Sequence, residues 1–511
     1  MKKFKSAIAV ILAMLIAFTF VFTAAAEDEK SYKITNPYAS IDWDTIGTYK
    51  TALHTHTNAS DGDPTLKESI ERHVETGFDI VATTDHGTTN YSWAEACPNN
   101  FIHGVLSLVG KSEGELVYLG TDGTFENGMS YTLETRENGD DYLSVNGKEV
   151  LRVPYGIENN AVSVNAHVNS WFVDYSDNTI TDYVDAIKSV DALDGVSVIN
   201  HPGEYSKARY ELYDDDAYNI NEPAYRYLLN KWANLLDKYD TCIGVDMNSK
   251  GDKRTRFDRI LWDELLTRFS AKGENVYGMC SSDAHSLSVI DTGFVLALMP
   301  TLDSDSLKTS LLNGEFFGAS HCIGSPEELR EIADALKELY GETELYKAVN
   351  DMAVALVEKA AQIDNGELDA DESLGLAYTV LDDDGYTTCD TFPAVTSIET
   401  NDEAGTITIN TTDALIVRWI SNGELITTTT ADEATFTLSD YAEELGDYVR
   451  AEIFGDGGII YTQAFLLNAD SKDENTKVVD DGFIDFGAID FLVGTIANWM
   501  DILGRFFKNL F

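Results

Sequence analysis

The chain has 511 residues, 44% of them hydrophobic, enough for two or three domains with full cores, which excludes global disorder. Its 36 basic residues face 87 acidic ones, a formal charge of −51 that repels nucleic acid and anionic lipid and speaks against a general DNA or RNA binder. Any cluster of Lys and Arg therefore stands out.

In chain order, residues 1–26 read as a signal peptide. Lys2, Lys3 and Lys5 form a positive start, Ala7 to Val21 an apolar run short for a membrane span, and Ala24-Ala25-Ala26 a cleavage site before Glu27. The expectation is a secreted or cell-surface protein; a retained N-terminal anchor is the alternative. The five cysteines, Cys97, Cys242, Cys280, Cys322 and Cys389, show no CxxC spacing and read mostly as buried apolar residues.

From about 48 to 320, β-branched runs alternate with helical stretches. The runs are Phe78 to Thr83, Val196 to Ile199, Cys242 to Val245 and Val276 to Cys280; the helices are expected at 65–76, 179–193, 222–238 and 258–271, with Gly77, Gly195 and Gly273 as C-caps. This alternation predicts an α/β domain with a parallel sheet, spanning 27–324. A Gly-, Asn- and Asp-rich insertion at about 93–152 predicts β-hairpins, with turns at Asn138-Gly139 and Asn146-Gly147.

Residues 325–366 read as helical, with Ser325 and Glu328 as a capping box around Pro326. From 367 to 468, short strands and turns such as Asn422-Gly423 predict a β-sandwich of immunoglobulin-like type. A polar linker and an apolar tail fill 469–511. Leu492, Ile496, Trp499, Leu503 and Phe507 recur there at helical spacing, which suits either contact with a membrane surface or cell envelope, or docking on protein.

Six of the nine histidines lie in short motifs. His54-Thr55-His56 precedes Ser60-Asp61-Gly62; Thr84-Asp85-His86 follows, then Gly156-Ile157-Glu158, Asn165-Ala166-His167, Asn200-His201-Pro202 and Ser282-Asp283-Ala284-His285. Alternate residues of a strand share a face, so H-x-H presents both imidazoles together. Alone, each motif is weak: a lone Glu158 is usually solvated and a lone His167 a hydrogen-bonded core residue. Together, imidazole and carboxylate suit zinc, manganese or iron. His86, His201, Asp283 and His285 follow predicted strands, the end where α/β proteins build active sites.

The ordered series resembles the PHP family, the polymerase and histidinol phosphatase superfamily. The resemblance covers about 48–320, through the His54-Thr55-His56 motif with Asp61, Thr84-Asp85-His86, His201-Pro202 and Asp283-Ala284-His285, with Leu312 to Phe317 similar to a closing strand. It implies a distorted (β/α)7 TIM-like barrel with a trinuclear centre of two to three divalent ions (Mn, Zn or Fe). The implied first metal takes His54, His56, Glu158 and Asp283; Glu158 bridges to a second with His167 and His201; Asp61, His86 and His285 hold the third. Metals so held lower the pKa of a bridging water and neutralise phosphate charge. Asp85 is either a residue that orients a ligand histidine or a simple strand-end acid. Asp246 resembles an acidic position of related members, without an assigned role.

Two basic groups follow the same predicted strand ends: Lys207 and Arg209 after His201, and Lys250, Lys253, Arg254 and Arg256 before the helix near Asp258. They suggest recognition of an anionic substrate, with pairing to Glu211, Asp252 or Asp258 the plainer reading. Trp93 and Trp171 offer either stacking surfaces or packing. The expectation is a secreted metal-dependent phosphoesterase acting on a small phosphorylated substrate. Hydrolysis of an amide or lactone at the same centre, and a non-catalytic metal-stabilised binding protein, are the alternatives.

Overall fold

The computed structural model describes residues 32–95, 101–108, 112, 114–159, 167–175, 182–205, 223–249, 255–323, 326–365, 367, 378–379, 381–382, 384–487, 489, 492–493, 496, 499–500 and 503. The signal-peptide reading, Ser325 and Cys97 lie outside them. The fold is mixed α/β.

After β1 (Ile34–Thr35), strand β2 (Gly47–Ala52) leads into helix α1 (Leu66–Glu75) and β3 (Ile80–Val81). Thr65 and Glu68 close a reciprocal capping box at the start of α1, and Leu66 and Ile70 bury its inner face. The insertion contributes α2 (Phe101–Leu108), β4 (Asp122–Thr124), β5 (Ser130–Thr135), β6 (Asp141–Val145) and β7 (Lys148–Arg152). Strands β4 to β7 form the expected antiparallel hairpins. Asn146 and Gly147 both have positive φ (51° and 84°), the two-residue turn that Asn-Gly favours. β7 then pairs parallel with β3, so the hairpins extend the main sheet.

Next come β8 (Ile157–Asn159), β9 (His167–Trp171), α3 (Tyr183–Ala192), β10 (Val196–Asn200), α4 (Pro223–Leu236), β11 (Cys242–Ser249), α5 (Thr255–Ser270) and β12 (Tyr277–Ser281). They form a five-stranded sheet in the order β12-β11-β10-β9-β8. β10, β11 and β12 run parallel as expected, whereas β9 runs antiparallel to β10 and to β8. Gly77 and Gly273 take the left-handed conformation after their helices, but after α3 it is Asp194 (φ 60°) that does so. Gly195 is required by space instead: a Cβ there would lie 2.4 Å from Val173 Cγ2.

β13 (Gly293–Met299), α6 (Ser304–Asn313), β14 (Phe316–Ser320) and the short β15 (Cys322–Ile323) follow. β13 is antiparallel to both β2 and β14. Bridges Thr55–Ala284 and His86–Glu158 join the two sheets at their ends. Gly341 (φ 79°) breaks the expected single helix into α7 (Pro326–Tyr340) and α8 (Glu344–Asp364).

After β16 (Tyr378–Thr379) the remaining strands are β17 (Ala394–Asn401), β18 (Thr406–Thr412), β19 (Ile416–Ser421), β20 (Glu424–Thr430), β21 (Thr435–Thr437), β22 (Tyr448–Gly455), β23 (Gly458–Tyr461) and β24 (Phe465–Leu467). The sheet β17-β18-β21 packs Ile407, Ile409 and Phe436 against Trp419, Ala451 and Ile453 of a second layer. That second layer continues into the main sheet, because β23 pairs with β14.

A buried ion network also ties these strands to the helices. Arg450 grips Asp263 of α5 through Nε at 2.8 Å and a terminal nitrogen at 2.7 Å, and reaches Glu452 at 2.7 Å. Arg418 joins Glu452 at 2.6 Å and also pairs with Glu331 of α7. Burial alone would raise the Glu452 carboxyl, but Arg418, Arg450 and Arg259 bring it down to about 2. A depressed folded-state pKa stabilises above the unfolded value, about 4.3 for Glu, and that contribution is lost as pH falls toward the folded value. Urea midpoints should therefore drop between about pH 4.5 and 2, and Glu452→Gln should flatten that slope; an unchanged slope would contradict this.

Among the described residues no helix is long and apolar enough to cross a membrane. In the tail Leu492, Ile496, Trp499 and Leu503 are exposed; Phe507 lies outside the described residues. Cys242, Cys280 and Cys322 are buried, as expected, and Cys389 is half-buried.

Candidate metal centre

The chain running on from β2 carries His54 and His56 on one side, with their Nε2 atoms 3.2 Å apart. His56 N donates to Ala284 O at 2.9 Å, which fixes the pair beside the β12 end. Gly62 allows the following loop to fold back, since a Cβ there would lie 2.7 Å from the His56 carbonyl carbon. The loop is held by Asp85, which accepts from Thr57 N at 2.7 Å, Thr57 Oγ1 at 2.8 Å and Ser60 Oγ at 2.8 Å. It presents Asp61 to His285 Nε2 at 3.4 Å and His86 Nε2 at 3.7 Å.

Glu158 occupies the middle. Its Oε1 lies 3.4 Å from His54 Nε2, 3.2 Å from His167 Nδ1 and 3.2 Å from His201 Nε2. Its Oε2 lies 3.2 Å from His56 Nε2 and 3.0 Å from His86 Nδ1. Asn200 Nδ2 donates to Oε1 at 2.7 Å and orients the carboxylate, a contact that sequence reasoning did not assign although Asn200 stands in a quoted motif. Asp283 Oδ1 faces His54 and His56 Nε2 at 3.2 and 3.0 Å, and Oδ2 faces His201 Nε2 at 3.7 Å.

Strand direction explains the convergence. His86, His201, Asp283 and His285 follow the ends of β3, β10 and β12. His167 begins β9, but that strand is antiparallel and pairs His167 with Asn200, so it reaches the same edge. His201 (φ 27°) and Asp283 (φ 44°) hold left-handed backbone, which non-glycine residues keep only when their surroundings enforce it.

All nine expected ligands converge. His56, Asp61, His86 and His285 form one group; His54, Glu158, His201 and Asp283 a second; His86, Glu158 and His167 a third, each with donor atoms within 4.8 Å of one another. His56 Nε2 also lies 3.0 Å from Asp283 Oδ1 and 3.2 Å from Glu158 Oε2, so His56 stands between the first two groups, and Glu158 and His86 are each shared by two. The arrangement is graded in depth. The side chains of His54, His56 and Glu158 are buried, whereas Asp61 is 25% and His285 34% exposed, which makes their side the mouth.

The electrostatics follow from mutual neutralisation. Burial disfavours charge on His54, yet Asp283 and Glu158 raise its pKa to about 9. Burial would raise the Glu158 carboxyl, but His86, His167 and His54 hold it well below the usual carboxylate range. The same opposition, with His86 and His285 dominant, holds Asp61 well below that range. Burial lowers the His167 pKa, against the opposing pull of Glu158.

The residues fit divalent metals. Asp61 Oδ1 and Glu158 Oε2 are buried acceptors that receive no hydrogen bond, a costly condition that a cation relieves. Nitrogen and oxygen donors at this density suit zinc, manganese or iron, and metal uptake would release the protons that the histidines hold.

Asp85 does not touch a histidine directly; Ser60 stands between it and His56. Trp93 and Trp171 are fully buried core residues, which leaves packing and removes the stacking reading. Lys207, Arg209, Lys250, Lys253 and Arg254 lie outside the described residues, as does the side chain of Arg256 in the first turn of α5.

No protein-family model matches the chain, and no curated protein matches it. Among solved structures it is similar to a two-domain protein from Bacteroides vulgatus containing a predicted PHP-like metal-dependent phosphoesterase, at 12% identity and a TM-score of 0.35, over 86% of this chain and 91% of that one. It is also similar to the lesion-specific endonuclease PfuEndoQ from Pyrococcus furiosus, at 12% identity and a TM-score of 0.28, over 52% of this chain and 56% of that one. Neither likeness is close enough to carry function, which rests on the residues of the site. The chain's own His, Asp and Glu groups are ones that could hold metal ions.

Proposed function

We propose that the chain is a secreted PHP-type metal-dependent phosphoesterase that hydrolyses a phosphomonoester or phosphodiester at a trinuclear centre. The observation that carries this reading is the convergence of six histidines with Asp61, Glu158 and Asp283, buried at the base and open on the Asp61–His285 side. We read the two bridged sheets as the distorted (β/α)7 barrel and the C-terminal layers as an immunoglobulin-like sandwich. For the domains we propose the boundaries read from the sequence.

Bound divalent ions would supply a low-pKa water as nucleophile and neutralise the phosphate oxygens. The chain's own residues prepare for this. Glu158 and Asp283 offset the charge that the ions bring. His167 offers a further imidazole nitrogen beside Glu158. Asp61 and His285 line the open side, where an ester oxygen approaches. Lys207, Arg209, Lys250, Lys253, Arg254 and Arg256 are the proposed anion-recognition residues for a small phosphorylated substrate, while the −51 charge opposes general nucleic-acid binding. The exposed apolar tail is proposed to contact a membrane surface or the cell envelope.

Amide or lactone hydrolysis at the same centre is the second reading, and a non-catalytic binding protein the third. Purified protein loaded with Mn²⁺, Zn²⁺ or Fe²⁺ should turn over phosphate esters from a panel that also holds amides and lactones. Turnover of amides or lactones alone would contradict the phosphoesterase reading, and bound metal without turnover would favour the third.

A further inference from the structure

Both histidines of the H-x-H pair are backed by a serine and a buried aspartate. His56 Nδ1 lies 3.3 Å from Ser60 Oγ, which donates to Asp85 Oδ1 at 2.8 Å. His54 Nδ1 lies 3.4 Å from Ser281 Oγ, which donates to Asp246 Oδ2 in a short contact. Asp246 Oδ2 is itself 3.6 Å from His54 Nδ1. Ser281 ends β12 and Asp246 lies in the neighbouring β11, so residues far apart in sequence build the second copy of the arrangement.

A serine hydroxyl has one hydrogen. When it is given to a carboxylate, the oxygen can only accept from the imidazole beside it. Nδ1 must then carry the ring proton, and the Nε2 lone pair is left bare. In both residues Nε2 is the atom that faces Glu158 and Asp283. Asp246 is fully buried, and its Oδ1 receives no hydrogen bond. A buried carboxylate with so little support is costly, which makes a purely structural role an expensive one.

We propose that Ser281–Asp246 and Ser60–Asp85 are twin hydroxyl–carboxylate relays that fix His54 and His56 as Nδ1–H tautomers and aim both Nε2 atoms at the metals. Ser281, Asp246 and Ser60 are positioning residues, acting through the histidines. The inference rests on the metal-centre reading above.

The test is a double-mutant cycle on the full chain, read as Zn²⁺ and Mn²⁺ dissociation constants from chelator competition. Ser281→Ala and the isosteric Asp246→Asn should each weaken the affected site about 10- to 100-fold, the usual cost of losing such a support. In a His54→Ala background the same changes should cost nothing further, because the relay acts only through His54. Ser60→Ala should behave likewise against His56→Ala. Wild-type affinity in the single variants, or an equal loss with and without His54, would overturn the proposal. A wild-type chain that binds no metal would instead remove the reading beneath it.

Discussion

Glu158→Gln is expected to cost activity on the order of a hundred- to a thousandfold or more, since it would loosen the ions that neutralise transition-state charge, and removing even one such stabilising group costs that much. The change keeps the size of the side chain and removes its charge. Five imidazole nitrogens lie within 3.4 Å of the two Glu158 oxygens, which places it at the centre of the cluster. Asn200 Nδ2, which donates to Oε1, can still meet an amide oxygen, so the fold should persist. The variant should also lose at least one metal per chain. Steady-state turnover of a phosphate ester, with metal analysis of the same sample, checks both outcomes. Near wild-type turnover would show that Glu158 does not bridge.

Removing the metals should destabilise the protein as well as silence it. Without cations the cluster must protonate histidines to balance Glu158, Asp283 and Asp61, as the raised pKa of His54 indicates. An ion that binds only the folded state stabilises by about 2.7 kcal/mol per site at a hundredfold excess over Kd. Chelator treatment should therefore lower the denaturation temperature, and re-addition of Mn²⁺ or Zn²⁺ should restore both stability and turnover. Activity that survives exhaustive chelation would exclude the metal-assisted reading.

Much of this site was legible in the sequence because its residues stand beside short, strongly patterned strands. His54 and His56 announce themselves by period-two spacing, and His86, His201, Asp283 and His285 by following apolar runs. Even the shared position of Glu158 follows from the resemblance. The closeness of the groups was not legible: His56 and His201 each lie between two sets, which only three-dimensional distances show. Ser281 escaped, and Asp246 was named without a role, for a similar reason: the register of β11 against β12, not any local motif, brings them to His54. The antiparallel course of β9 and β13 was hidden because apolar runs carry no direction. The joining of β14 to β23 depends on pairing between segments about 140 residues apart, which periodicity cannot report.

The most direct test of the central claim is the metal content of the purified chain, compared with that of His54→Ala. Two to three divalent ions per wild-type chain are expected for the trinuclear proposal, with about one fewer in the variant and loss of ester hydrolysis, since His54 reaches both Glu158 and Asp283. A wild-type chain without stoichiometric metal, or a variant with unchanged content and turnover, would contradict it.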